Sequence, residues 1–239
     1  MRTSSFLAPI AVTALALAAA VAVPAAASAA TPAPGASAHP RVDLATAQSR
    51  ATDTATHWID ALTAQISRTT ADTHLDDADR AKALAIENDD LDGIRTLQTT
   101  IAAATSVSQV RDAVRTAADA YRVREVALPQ VRAAATADRV TSVTLPRLEA
   151  EQKKLSAALT AHPDKSTPAA TAALADLETQ ISTVQSDVDG LASAALALSP
   201  DAVKADPTAL SHVHDQLAGV RTAVSTAASD AKTVRAALK

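Results

Sequence analysis

Apolar residues recur along this chain at alternating steps of three and four, the spacing that lines one face of an α-helix. The pattern is clearest toward the C-terminus. Leu174, Leu177, Ile181, Val184, Val188, Leu191, Ala195 and Leu198 follow one another without a miss. Leu210, Val213, Leu217, Val220, Val224, Ala227, Ala231, Val234 and Leu238 repeat the device at heptad spacing. Thr167 and Pro168 precede the first run, and Asp206 and Pro207 the second. Each pair reads as an N-cap followed by proline at the first helical position. Two helices of about 30 residues, each about 45 Å long, joined by a short connection, pack antiparallel. Residues 167–239 therefore read as a coiled-coil-like hairpin.

The same periodicity continues upstream. A helix from about Asp43 to Thr70 carries Leu44, Ala51, Ala55, Ile59, Leu62 and Ile66 on one face. A second, over roughly 76–104, carries Leu84, Leu91, Ile94, Leu97 and Ile101. Ser106 with Gln109 makes a capping box, so a third helix starts there, with Val107, Val110, Val114, Ala117 and Tyr121 as its stripe. Proline in a helix interior costs about 3 kcal/mol. That places Pro129 in or near the first turn of a new helix, after a tight break or a kink at Val126-Ala127-Leu128. Pro146 lies within the stripe of Leu145, Leu148, Leu155 and Leu159 and reads as a kink. His162 to Pro168 is a turn. The expectation over residues 42–239 is an all-α, elongated antiparallel bundle of about six helices with coiled-coil-like hairpins.

Composition agrees. The chain is alanine-rich, and beyond the N-terminal segment only Trp58 and Tyr121 are aromatic. Few aromatics and few glycines suit helices and suit sheets poorly. There is no cysteine, so packing alone must hold the fold. Alanine seams let helix axes approach closely but bury little area, which predicts modest stability and leaves room for a homo-oligomer.

Residues 1–30 read as a signal peptide. Arg2 supplies a basic start, Phe6 to Val23 is uncharged, Pro24 breaks the helix, and small residues follow at Ala27-Ser28-Ala29 or, equally, Ser28-Ala29-Ala30. The uncharged stretch approaches spanning length, but its alanine content, Pro9, Pro24 and the small-residue site favour cleavage over anchoring. No other stretch approaches that length, so no stable membrane span is expected after cleavage. No cysteine follows for lipidation, and no Leu-Pro-x-Thr-Gly sorting signal is present. Residues 31–41, with Pro32, Pro34, Gly35 and Pro40, read as a disordered linker. The expected location is extracellular, free or associated with the cell wall.

The segment from Tyr121-Arg122-Val123 through Leu128-Pro129-Gln130-Val131 to Ala137-Asp138-Arg139 resembles the signature stretch of a family of uncharacterised secreted α-helical proteins of actinobacteria. That family carries Tyr-Arg-Val, Leu-Pro-(Lys/Gln)-Val and Ala-Asp-Arg at this spacing, and a looser match covers residues 60–239. The chain departs from the pattern at Arg124 and Glu125, where the family is aromatic or apolar, and at Arg132, where a histidine is common. The resemblance implies a shared helical fold and export, and carries no activity.

No constellation demands a reaction or a cofactor. Asn88, Asp90, Asp92 and Gly93 match the first half of a calcium loop, but Thr99 stands where a bidentate glutamate belongs. A solvated acidic helix face is the better reading. Asp72, Asp76, Asp77 and Asp79 read as the start of the second helix, where carboxylates complement the dipole. His39, His57, His74, His162, His212 and His214 are too scattered for a zinc site. No metal ligand and no catalytic group is expected.

Arg132, Arg139 and Arg147 recur at steps of seven and eight and line one helix face. Such a stripe suits the phosphates of an envelope polyanion, because guanidinium forks match phosphate oxygens. Nucleic acid is disfavoured by the formal net charge of −4 and by the lack of aromatic stacking platforms. The leading expectation is a non-catalytic secreted or wall-associated helical protein acting through a protein partner or cell-envelope polymer. The alternative is a polyanion-binding module built on the arginine stripe. N-terminal sequencing of the exported chain is expected to start at Ala30 or Thr31; a chain that keeps Met1 in the membrane fraction would overturn the leader assignment.

Overall fold

The computed structural model describes Val42–Lys239. The expected leader (1–30) and linker (31–41) lie outside the described residues. Among those described, every regular element is helical and no strand occurs, so the all-α bundle is observed.

Capping side chains set the first three helices. α1 (Leu44–Ala71) opens at Asp43, whose carboxylate accepts the Thr46 N–H at 2.8 Å. α2 (Asp77–Ala103) opens at Asp76, which accepts the Ala78 N–H at 2.8 Å. Asp77 and Asp79 fill its first turn, where the helix dipole favours carboxylates. α3 (Val107–Tyr121) opens at Ser106, whose hydroxyl accepts the Gln109 N–H. Gln109 reaches back to the Thr105 N–H at 2.7 Å, one residue beyond the usual capping-box partner. α3 ends at Arg122, which adopts the left-handed conformation (φ 40°, ψ 41°) without being glycine. Of the break or kink expected at Val126–Leu128, the break falls instead at Arg122, and the stretch itself closes a π-turn.

From Val123 the chain stays helical to Ala161. α4 (Leu128–Arg139) and α5 (Leu145–Ala161) are each preceded by a π-turn, Val123–Ala127 and Val140–Thr144. A Val-x-x-Val-x-Leu-Pro segment stands at Val123–Pro129 and again at Val140–Pro146. The cause is proline. Its ring clashes with the carbonyl four residues back. Here Leu128 and Leu145 donate instead to the carbonyls of Val123 and Val140, five residues back. The wider turn relieves the clash and keeps the helix unbroken. Pro129 thus stands in the first turn of α4, as its second residue, and Pro146 holds the same place in α5, each directly after a π-turn.

The C-terminal hairpin differs from expectation. α6 (Pro168–Val188) is capped by Thr167 as read, through the Ala170 N–H, but it stops well short of Leu198. Gly190, at φ 67°, turns the chain in a conformation that glycine tolerates without strain. Two short helices follow, α7 (Leu191–Leu196) and α8 (Pro200–Ala205). Ser199 caps α8 by accepting the Ala202 N–H. α9 (Ala209–Ala237) starts two residues later than its proline suggested. Asp206 is not an N-cap; its N–H donates to the Ala202 carbonyl and closes α8, and its carboxylate accepts the N–H and hydroxyl of Thr208 in a turn around Pro207. α6 and α9 do pack along their lengths. Asp187 faces Gly219 and Asp176 faces Asp230, which makes the pair antiparallel in a single register.

Three apolar clusters fill the unit. Leu62 of α1, Ile94 and Ile101 of α2, Val110 of α3 and Leu128 form one. Ala83, Val131, Ala134, Leu191, Ala195 and Val213 form a second, where α4, α7 and α9 meet. Leu155, Leu177, Val184, Val220 and Val234 form the third, between α5, α6 and α9, with Ala170, Ala173, Ala223, Ala227 and Ala231 in the seam. On the helix surfaces, threonine hydroxyls turn back on their own helices. Those of Thr96, Thr100, Thr179, Thr183, Thr222 and Thr226 each donate to the carbonyl four residues earlier.

Gly93 of α2 lies against the Tyr121 ring of α3. A Cβ there would overlap the Tyr121 ring. Glycine inside a helix ordinarily costs about 1 kcal/mol relative to alanine. Gly93→Ala is therefore expected to stabilise by about 1 kcal/mol in a Tyr121→Ala background and to give no gain, or a loss, with Tyr121 present. Denaturant melts of the four variants measure this; equal effects in both backgrounds would show that the ring does not require the glycine.

Candidate functional site

Arg132 and Arg139 lie on α4 and Arg147 on α5, and all three are exposed. The Val140–Thr144 π-turn takes up one extra residue. The eight-residue step from Arg139 to Arg147 is thereby equivalent to about seven along a plain α-helix, which keeps the three on one side. None of them pairs with a carboxylate among the described residues, whereas Arg80, Arg95, Arg115 and Arg122 each pair three residues away on their own helical segment. Only Arg139 of the three lines the polar groove described below.

The half calcium loop is not a loop. Asn88, Asp90, Asp92 and Gly93 lie within unbroken α2. Asn88 and Asp92 face solvent, while Asp90 is buried. The reading of a solvated acidic face therefore fails at Asp90. Among the described residues no group of three or more histidines and acids is placed to hold a metal ion. His39 lies outside them.

Sequence reasoning missed a buried polar layer between α1 and α2. Glu87 is 0 % exposed and Asp90 6 %. They stand three residues apart on α2, between Ala83 of the second cluster and Leu91 of the first. From α1, the buried Thr69 hydroxyl donates to Glu87 Oε1 at 2.9 Å. Gln65 Nε2 lies 3.4 Å from the Thr69 hydroxyl, and Arg68 reaches Gln65 Oε1 at 3.4 Å. Glu87 Oε2 and Asp90 Oδ2 have no partner, and no cation pairs with either acid among the described residues. Burial pushes the Glu87 carboxyl up to about 7, against partial opposition from Thr69 and Gln65. Burial pushes Asp90 up to about 7 as well, helped by the charges of Asp89 and Glu87. On α4, Gln130 is also buried with an unpartnered oxygen. The missed signal was the seven-residue gap from Leu84 to Leu91, where the core position in between is glutamate.

Three grooves on the surface of the described residues bear on function. One of about 650 Å³ runs between α2 and α3 over Gly93, Leu97, Ala117 and Tyr121. One of about 720 Å³ is acidic, lined by Asp76, Asp79, Asp138 and Asp189 beside Ser182 and Ser193. Asp79 there accepts the Ser193 hydroxyl at 3.1 Å, and Asp138 accepts the Asp76 N–H at 2.9 Å. Burial and the neighbouring aspartates raise the Asp138 carboxyl above its usual range. A third, of about 590 Å³, holds Arg68, His74 and Arg139. Neither Glu87 nor Asp90 lines any of the three. No family model, no curated protein and no solved structure matches this chain.

The acid layer predicts a pH dependence. Between the ordinary carboxylate range near 4 and about 7, Glu87 and Asp90 hold protons when folded and lose them when unfolded. The stability they lend is full at the acid end and falls as pH rises through that window. The loss is on the order of 3 kcal/mol for each acid. Urea melts at pH 5 and pH 7.5 should show it, and Glu87→Gln with Asp90→Asn should flatten it. A wild-type curve already flat over that window would mean that both acids are ionised in the fold.

Proposed function

We propose that this chain is an exported, non-catalytic helical protein, free outside the cell or associated with the cell wall, that works through contacts with a protein partner or an envelope polymer. One observation carries the reading. The carboxyls most strongly tuned by their surroundings, Glu87 and Asp90, are sealed in the core and line none of the three grooves. An acid that serves catalysis must be both tuned and reachable by substrate. Membership of the secreted actinobacterial helical family is part of the proposal. The residues that carry the resemblance hold structural posts here: Tyr121 covers Gly93, Pro129 follows a π-turn, and Asp138 accepts from Asp76. Among the described residues no helix is long and apolar enough to cross a membrane.

A second reading has its own support. Arg132, Arg139 and Arg147 are exposed, unpaired among the described residues and held on one side by the π-turn, an arrangement suited to a phosphate-rich polymer. Co-sedimentation of the full chain with envelopes of its own host, at low and high salt, tests both. Salt-sensitive pelleting that Arg132→Gln, Arg139→Gln and Arg147→Gln together reduce is the result expected of the stripe, because salt screens exposed contacts. Pelleting indifferent to salt and to the three substitutions discards the stripe and leaves a protein partner. Turnover of an envelope substrate by the purified chain would overturn the non-catalytic reading.

A further inference from the structure

The groove of about 590 Å³ at the α1–α2 turn brings cationic side chains from three separate elements together. Arg68 comes from the last turn of α1, His74 from the connection to α2, and Arg139 from the end of α4. Arg68 spends one guanidinium nitrogen on the neutral Gln65 oxygen at 3.4 Å and pairs with no carboxylate among the described residues. Arg139 likewise has no carboxylate partner there. Asp72 is the one acid on the lining, and its Oδ1 is taken by the His74 N–H at 2.9 Å, which fixes the turn. The Thr136 hydroxyl donates to the Arg132 carbonyl and so offers no proton to the groove, whereas no described group engages the Thr73 hydroxyl. The connection that carries His74 is tied to the α4 side by Ser142, which lies 3.4 Å from the His74 carbonyl, and by Asp138, which accepts the Asp76 N–H. Two guanidinium forks, an imidazole and one free hydroxyl thus surround a space of small-molecule size.

We infer that this groove, centred on Arg68, His74 and Arg139, binds a phosphate group. Guanidinium forks bind phosphate oxygens in pairs and give up their hydration more readily than ammonium groups do. The inference rests on the polyanion reading and sharpens it. Of the stripe, only Arg139 belongs to the groove, and Arg68, which no sequence periodicity joins to it, becomes an equal partner. A phosphate so held is either a free anion or the phosphodiester of a polymer or lipid headgroup.

The test uses the full chain with inorganic phosphate, followed by calorimetry and by NMR of the arginine Nε–H signals. Sedimentation with phosphatidylglycerol vesicles, against phosphatidylcholine controls, separates the two sources. Phosphate should shift the signals of Arg68 and Arg139. Arg68→Gln and Arg139→Gln should each weaken binding about tenfold, Arg68→Lys less, and Arg132→Gln with Arg147→Gln little. Circular dichroism of each variant confirms that the helices persist. Pelleting with phosphatidylglycerol alone assigns the phosphodiester of a headgroup; binding without pelleting assigns the free anion. Wild type that neither binds phosphate nor pelleted vesicles overturns the groove. Equal losses in the Arg132/Arg147 variant, with none in Arg68→Gln, overturn the groove and leave the stripe standing.

Discussion

Proline's missing N–H, met twice within one helix, is the constraint around which this unit is arranged. Pro129 and Pro146 each demand room at the carbonyl four residues back, and the π-turns before them provide it. The helix therefore runs on from Val123 to Ala161, where an ordinary α-turn would have broken it. All three apolar clusters depend on that continuity. Val123 and Leu128 enter the first, Val131 and Ala134 the second, and Leu145 and Leu155 the third. Val140, at the second π-turn, packs against two of them. This one rod enters all three clusters, whereas α2, α6 and α9 each enter two.

Much of this was legible in the residues. The apolar periodicity located the long helices, and Thr167, Ser106 and the aspartates before α2 marked their starts, because capping is local chemistry. The misses have local causes too. Periodicity ran through Gly190 unbroken, since Leu191 and Ala195 keep the spacing of α6 while packing against a different cluster. Asp206 and Pro207 imitate a helix start, but Thr208 takes up the aspartate's Oδ1 with both its N–H and its hydroxyl. The buried acids were hidden because a stripe is traced by its apolar members, and a glutamate inside it reads as a gap. As for the candidate site, three arginines were visible as a spacing. Arg68 was not, because its neighbourhood to Arg139 is created by the α1–α2 turn folding against α4 and has no expression in one helix's sequence.

The polar chemistry is divided by depth. The acids with altered proton affinity lie inside, where a single threonine hydroxyl reaches one of them. The unpaired guanidinium groups lie outside, where water solvates them at little cost. A buried carboxyl without a counter-ion is tolerated by keeping its proton. This arrangement gives the core a dependence on the medium that the surface arginines, charged at any ordinary pH, do not share.

The threonines alter what the surface offers to a neighbour. Counted by type they are polar, and they are plentiful on the helices. Yet the hydroxyl protons of Thr96, Thr100, Thr179, Thr183, Thr222 and Thr226 are committed to carbonyls of their own helices. What remains outward is a methyl group and oxygen lone pairs. Such helix faces accept hydrogen bonds and seldom give them, so donation falls mainly to the arginines and lysines. A molecule rich in acceptors, such as a polyol ether or a polyphosphate, finds few places to attach except at those cations, while one rich in hydroxyl or amide protons finds lone pairs along the length of every such helix.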